Sequence, residues 1–93
     1  MPKLIYLDNN ATTQVHPEAI KCMLPYMHTW YGNCSSSHGF GKECKKRLNY
    51  ARKTIAQLLK VRPDELIFCS GATEANNNCL RGVIAYIKVR KLL

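Results

Sequence analysis

The stretch Phe68-Cys69-Ser70-Gly71-Ala72-Thr73-Glu74-Ala75-Asn76-Asn77 holds the residue types and spacing best suited to chemistry. It reads as a strand entering a small-residue turn and then a helix. Gly71 carries no side chain, so backbone there can approach a ligand closely. The following helix presents free N–H groups and the positive end of its dipole. The amides of Ala72 and Thr73, with the Thr73 hydroxyl, form a cradle for a phosphate. Glu74 is expected to turn away, because a second anion there would repel the ligand. The same residues also fit plain helix capping by Ser70 or Thr73, and the glycine pattern is less complete than a P-loop.

Other constellations are weaker. Cys22, His28, Cys34, His38 and Cys44 form a Cys/His-rich run, but with five, five, three and five residues between them. Those gaps match no usual zinc pattern, so no metal is assigned. Cys34 with His38 imitates a Cys-His nucleophile, yet the surrounding loop offers no carboxylate to orient the imidazole. His16 reads as a helix-start residue and His28 as a surface one. The five cysteines are odd in number and form no CxxC pair, which argues against a disulfide framework. Cys44, Cys69 and Cys79 sit at apolar-periodic or strand positions, where a thiol serves as a small hydrophobe.

These groups must be positioned by a chain of 93 residues, one domain at most. A compact chain of this size buries roughly 60–65% of its unfolded surface. No apolar run is long enough to cross a bilayer. Met1-Pro2-Lys3-Leu4-Ile5 is too short, and too soon interrupted by Asp8, for a secretory signal. The cytoplasm is the default location, with an organelle left open. The net charge of +8 has a bland reading, solvated helix faces, and a sharper one, an RNA or acidic partner.

Leu4-Ile5-Tyr6-Leu7 reads as a strand or extended arm, ending in the polar turn Asp8-Asn9-Asn10. Pro17 and Glu18 suit a helix start. Ala19, Ile20, Met23, Leu24 and Met27 follow at helical spacing, with Pro25 expected to kink or end that helix. Trp30 to Gly39 is a Gly/Ser-rich loop. A second helix is predicted from about Phe40 to about Leu59. Phe40, Cys44, Leu48, Ala51, Ile55, Leu58 and Leu59 line one face, and Lys42, Lys45, Lys46, Arg52 and Lys53 the other. Pro63 breaks the chain after that helix. Leu66-Ile67-Phe68-Cys69 suits a strand buried on both faces of a parallel sheet. A last helix runs from about Thr73 to near the C-terminus. The alternation points to an α/β fold. One buried strand cannot satisfy its own ladder groups, so the stretch reads as a piece of a larger fold.

Three blocks carry a family resemblance. They are Ile5-Tyr6-Leu7-Asp8-Asn9-Asn10-Ala11-Thr12-Thr13; Tyr31-Gly32-Asn33 with Ser35-Ser36 and His38-Gly39-Phe40-Gly41; and Ile67 through Asn77. In type, order and separation they resemble the start of the cysteine desulfurases, pyridoxal-phosphate enzymes of aminotransferase class V. The resemblance runs from residue 4 to about residue 82. It implies an N-terminal fragment of a fold-type-I large domain: extended arm, helix, loop, long helix, buried strand, helix. Residues 1–93 are then one partial domain, with an N-terminal arm at 1–15 and the start of the cofactor-binding domain at 16–93. The resemblance places the phosphate of pyridoxal 5'-phosphate on Ala72 and Thr73. It sets Asn10, Ala11 and Thr12 near the substrate.

It further implies an enzyme that converts L-cysteine to L-alanine and an enzyme-bound persulfide, for iron–sulfur cluster or thio-cofactor synthesis. Such an enzyme is a homodimer serving a sulfur-acceptor or scaffold protein, with no membrane or nucleic-acid role. Selenocysteine lyase is a close relative. The family's Schiff-base lysine, ring-facing histidine, pyridine-nitrogen aspartate and sulfur-accepting cysteine all come later than these blocks. Lys42 lies in the second block's register and on the polar helix face, so it is not the cofactor lysine. The expected catalytic set within these residues is therefore empty, cofactor binding weak or absent, and the isolated stretch inactive and marginally stable. Cys34 stands where the family usually has proline. The alternative reading is a basic module whose Lys42, Lys45, Lys46, Arg52 and Lys53 face meets RNA or an acidic partner.

Overall fold

The computed structural model describes residues 3–90. Their elements are α1 (Pro17–His28), α2 (Gly39–Leu59), a 3-10 turn (Pro63–Glu65) and α3 (Ala72–Arg90). Two compact units divide the chain, Met1–Asn49 and Tyr50–Leu93, and the division falls inside α2. The last three residues of the predicted final helix, and the first two of the arm, lie outside the described residues.

In the first unit, α1 begins where the sequence signals it. Pro17 holds the first helical position, and the His16 Nδ1 accepts from the Glu18 N–H at 3.3 Å. Of the expected kink or end at Pro25, the end does not occur there: α1 runs on to His28. A proline removes one N–H from the helical ladder, but its carbonyl still accepts from Thr29 N at 2.8 Å and Trp30 N at 2.9 Å. One more turn therefore closes beyond it. No residue of α1 is buried.

The loop before α2 is built around aromatic contacts. The Phe40 ring meets Tyr31 edge-on at 5.3 Å and lies 6.4 Å from Trp30. The Arg47 guanidinium stacks 3.7 Å over Trp30. Asn33 turns the chain, accepting from Ser35 N on its side chain and from Ser36 N on its carbonyl. His38 caps α2, its Nδ1 accepting from Gly41 N at 3.1 Å. Two glycines are required here by space. A Cβ on Gly32 would stand 2.8 Å from the Phe40 ring, and one on Gly41 would stand 2.7 Å from the carbonyl oxygens of Asn33 and Ser36.

The second unit starts with the C-terminal half of α2, where Ala56 is buried. The helix ends in a two-bond reversal: Lys60 N donates to Gln57 O and Val61 N to Ala56 O. Lys60 takes a φ of 56°, a left-handed conformation that a glycine usually supplies. Arg62, Asp64 and Glu65 then interlock, with the Arg62 guanidinium in two bonds to Asp64 and the Glu65 carboxylate accepting from Arg62 N.

The expected strand over Leu66–Cys69 is not formed. Leu66 begins it in extended geometry, but no β-strand occurs among the described residues. A strand is defined by a partner's hydrogen bonds, and no second strand among the described residues of this unit supplies them. Arg52 meets part of that need, donating to the Leu66 carbonyl and placing its guanidinium 4.7 Å over the Phe68 ring. It therefore does not belong to the solvated basic face. Lys42, Lys45, Lys46 and Lys53 remain exposed, with Lys46 3.5 Å from Glu43.

Burial falls short of the compact-domain expectation. Cys44 and Ala56 are the buried hydrophobic residues among those described, and the accessible surface is 8777 Å². Ile20, Leu24, Ile67, Leu80 and Ile84 are all exposed apolar side chains. Of the three cysteines expected to pack as hydrophobes, Cys44 is buried, Cys69 half-buried and Cys79 exposed. No helix among the described residues is long and apolar enough to cross a membrane.

Candidate functional site

The N-terminus of α3 gathers the donors that the sequence points to. The Gly71 carbonyl accepts from Ala75 N at 3.1 Å, so Gly71 is the last residue before the helix. The N–H groups of Ala72, Thr73 and Glu74 meet no acceptor among the described residues. They are the orphan donors that every helix start leaves. Nothing lies within 4 Å of a Cβ built on Gly71, so the approach to these amides is open. The Thr73 carbonyl is engaged, accepting from the Asn77 side chain at 2.9 Å, while its hydroxyl makes no bond within the described residues.

Ser70 and Glu74 behave differently from expectation. Glu74 does not turn away. Its Oε2 accepts from the Ser70 hydroxyl and from Ser70 N, both at 2.7 Å. The Ser70 hydroxyl, followed by its N–H, holds the Glu74 carboxyl below the usual carboxylate range, outweighing a small opposing effect of burial. Neither Ser70 nor Thr73 caps α3 by accepting a bond from its amides. Ser70 is the donor, and the carboxylate one turn into the helix is the acceptor. The sequence carried this signal in the spacing Ser70-x-x-x-Glu74, one residue longer than a standard capping box.

Asn10, Ala11 and Thr12 form a separate, exposed turn in the first unit. Ala11 N and Thr12 N both donate to Asp8 O. The Tyr6 hydroxyl lies 2.8 Å from Asp8 O and 2.9 Å from Thr12 O, its one proton shared between them. Thr13 Oγ1 closes the turn on Asn9 O. Ala72 and Thr73 are thus brought together at one helix end, whereas Asn10, Ala11 and Thr12 belong to the other unit. The anchoring role of Tyr6 had no periodic signal in the sequence.

Lys42 is exposed on α2. His16 and His38 spend a ring nitrogen on helix caps, and His28 pairs with the neighbouring Thr29 hydroxyl at the surface. At the start of α3, then, the Ala72, Thr73 and Glu74 amides and the Thr73 hydroxyl have no acceptor among the described residues. A donor-only set at the positive end of a helix suits a phosphate, with the Glu74 charge as the one element against it.

A small-residue turn entering a donor-bearing helix, preceded by the arm and loop blocks, defines the class. The aminotransferase class-V family matches residues 5–91, and the chain belongs to it. Membership implies the fold-type-I architecture of the pyridoxal-phosphate enzymes, to which the described residues contribute helices. Within the class, the similar proteins are cysteine desulfurases. That of Rhodobacter capsulatus is 48% identical over 82 residues, covering 87% of this chain and 21% of the relative. The mitochondrial cysteine desulfurase of Eremothecium gossypii is 44% identical over 88 residues, covering 94% and 18%. That of Rattus norvegicus is 41% identical over 88 residues, covering 94% and 20%. The chain spans about a fifth of the length of the curated relatives it matches. No solved structure matches it.

Proposed function

We propose that these residues are the N-terminal segment of a pyridoxal-phosphate-dependent cysteine desulfurase. The complete enzyme converts L-cysteine to L-alanine and leaves the sulfur as a persulfide on an enzyme cysteine. That sulfur serves iron–sulfur cluster or thio-cofactor synthesis, through an acceptor or scaffold protein. The observation that carries the reading is the unmet donor set of Ala72, Thr73 and Glu74 at α3, lying within the matched family region.

In this reading Ala72 and Thr73 hold the cofactor's phosphate through their amides and the Thr73 hydroxyl. Gly71 leaves room for it, and the helix dipole adds a favourable field. Pyridoxal phosphate supplies the electron-withdrawing ring that activates the amino-acid substrate. A Schiff-base lysine and an acceptor cysteine are not assigned among the described residues. The same proposal carries the expectations of a homodimer, of residues 1–93 as one partial domain, of Asn10, Ala11 and Thr12 near the substrate, and of a cytoplasmic location.

The test is direct. Binding by the isolated 93-residue chain is expected to be weak, so pyridoxamine phosphate, which has no aldehyde to condense with lysines, is titrated to high concentration and should shift the Ala72 and Thr73 amide resonances before any others. Supplying L-cysteine with pyridoxal phosphate should yield no sulfide above the free-cofactor background. Sustained turnover would overturn the assignment of the catalytic groups to later sequence. Shifts confined to other residues would overturn the cradle.

A further inference from the structure

Resting on that cradle, we propose that Glu74 is a positioning residue that both shapes the phosphate site and limits its affinity. Its carboxylate holds Ser70 N–H and the Ser70 hydroxyl at 2.7 Å each. Those two bonds fix the turn Ser70-Gly71 against the first turn of α3 whether or not an anion is bound. They also withdraw the Ser70 donors from any incoming phosphate, leaving it Ala72, Thr73 and the Glu74 amide.

The charge works in the opposite direction. A carboxylate at the third helical position stabilises the helix by lying near its positive end. A phosphate seeks the same end, so the two anions compete for one field. Taking about 7 Å between a phosphate charge held at these amides and the Glu74 carboxylate, repulsion at the dielectric of bulk water weakens binding about threefold per phosphate charge, or about three- to tenfold in all. The affinity for the cofactor phosphate is therefore set below what the free amides alone would give. Shape and strength are separable, because a neutral amide keeps an acceptor oxygen for Ser70 while removing the charge.

Inorganic phosphate is the probe, titrated into the 93-residue chain at constant ionic strength, with amide shifts at Ala72 and Thr73 as the readout. Glu74→Gln should bind phosphate about three- to tenfold tighter by the same Coulomb estimate, with Ser70 N–H still protected from exchange. Glu74→Ala should lose the Ser70 protection and gain less affinity than Glu74→Gln. Asp64→Asn, a charge removed at the far end of Leu66–Cys69, should leave the affinity unchanged. Helix content by circular dichroism verifies that each variant keeps α3. Equal or weaker binding in Glu74→Gln, or undiminished Ser70 protection in Glu74→Ala, overturns the role of Glu74 alone. No shift at Ala72 or Thr73 in any variant overturns the cradle itself, and with it this inference.

Discussion

The same substitution two residues apart on α2 should have opposite effects. A Cβ on Gly41 would lie 2.7 Å from Asn33 O, 2.7 Å from Ser36 O and 2.8 Å from Ser36 Cβ. Two of those neighbours are backbone carbonyls of a tight loop, which cannot rotate aside as a side-chain end could. Relieving the overlap moves the start of α2 away from the loop. Overpacking of this kind costs about 1–3 kcal/mol. Moving Gly41 N also strains its bond to the His38 ring, and a lost helix cap costs about 1 kcal/mol. Against this stands the usual gain of alanine over glycine in a helix, about 0.5–1 kcal/mol. The net for Gly41→Ala is a loss of about 1–3 kcal/mol by the same estimates. Gly39→Ala meets nothing within 4 Å and, at the first helical position, should keep only a small part of the propensity gain. Trp30, the single tryptophan, packs near Phe40 and reports on this region. Urea titration followed by its fluorescence should place the Gly41→Ala midpoint lower by about 0.3–3 M, or show the signal already lost in buffer. A Gly41→Ala midpoint at or above wild type, or a Gly39→Ala loss of equal size, would refute the steric reasoning.

Three further outcomes are expected. Lys60→Gly should raise the thermal midpoint, because a non-glycine residue at φ 56° costs about 1 kcal/mol; an unchanged or lower midpoint counts against the left-handed reversal. Arg52→Met should speed amide exchange across Leu66–Cys69, and Arg52→Lys should restore little, since lysine lacks the flat fork that serves Leu66 O and Phe68 together; full restoration by lysine would show that charge alone suffices. The Ser70–Glu74 clasp should be pH-dependent in one direction. The Glu74 carboxyl is held below its ordinary value of 4.5 by Ser70, so the contribution is complete above that pH and disappears as pH falls through the lower, folded value. Ser70 amide protection should therefore be undiminished at pH 4.5 and weaken in stronger acid, where the neutral carboxyl keeps an acceptor oxygen but loses the charge that strengthens the bond; weakening that begins above pH 4.5 contradicts the assigned bonds.

What the sequence made legible follows from how local each signal is. The start of α1 was readable because proline and a capping residue act within one turn. The span of α2 was readable because its apolar spacing repeats over five turns, and the structure begins it one residue earlier than expected. The Leu66–Cys69 strand was not, because a strand is a relation between two segments and its partner is not among the described residues. Arg52 was misassigned for a related reason. Its helical angle places it with the lysines, but its reach carries it back to Leu66 O. Ala72 and Thr73 stood out through residue type and family resemblance. The reversal of Ser70 and Glu74 did not, since like-charge avoidance argues against it until two short hydrogen bonds are seen to offset it.

The exposed apolar side chains have a consequence for synthesis. The matched 82 residues are 21% of the Rhodobacter relative, so in a chain of that length about 300 residues follow them. At roughly 5–20 residues per second, ribosomes take about 15–60 s to make that remainder. In a protein of that length, the exposed Ile20, Leu24, Ile67 and Ile84 would stay uncovered for that interval unless later sequence reaches them. Holding-chaperone capture of the nascent chain, and its dependence on translation speed, should concentrate on this opening segment.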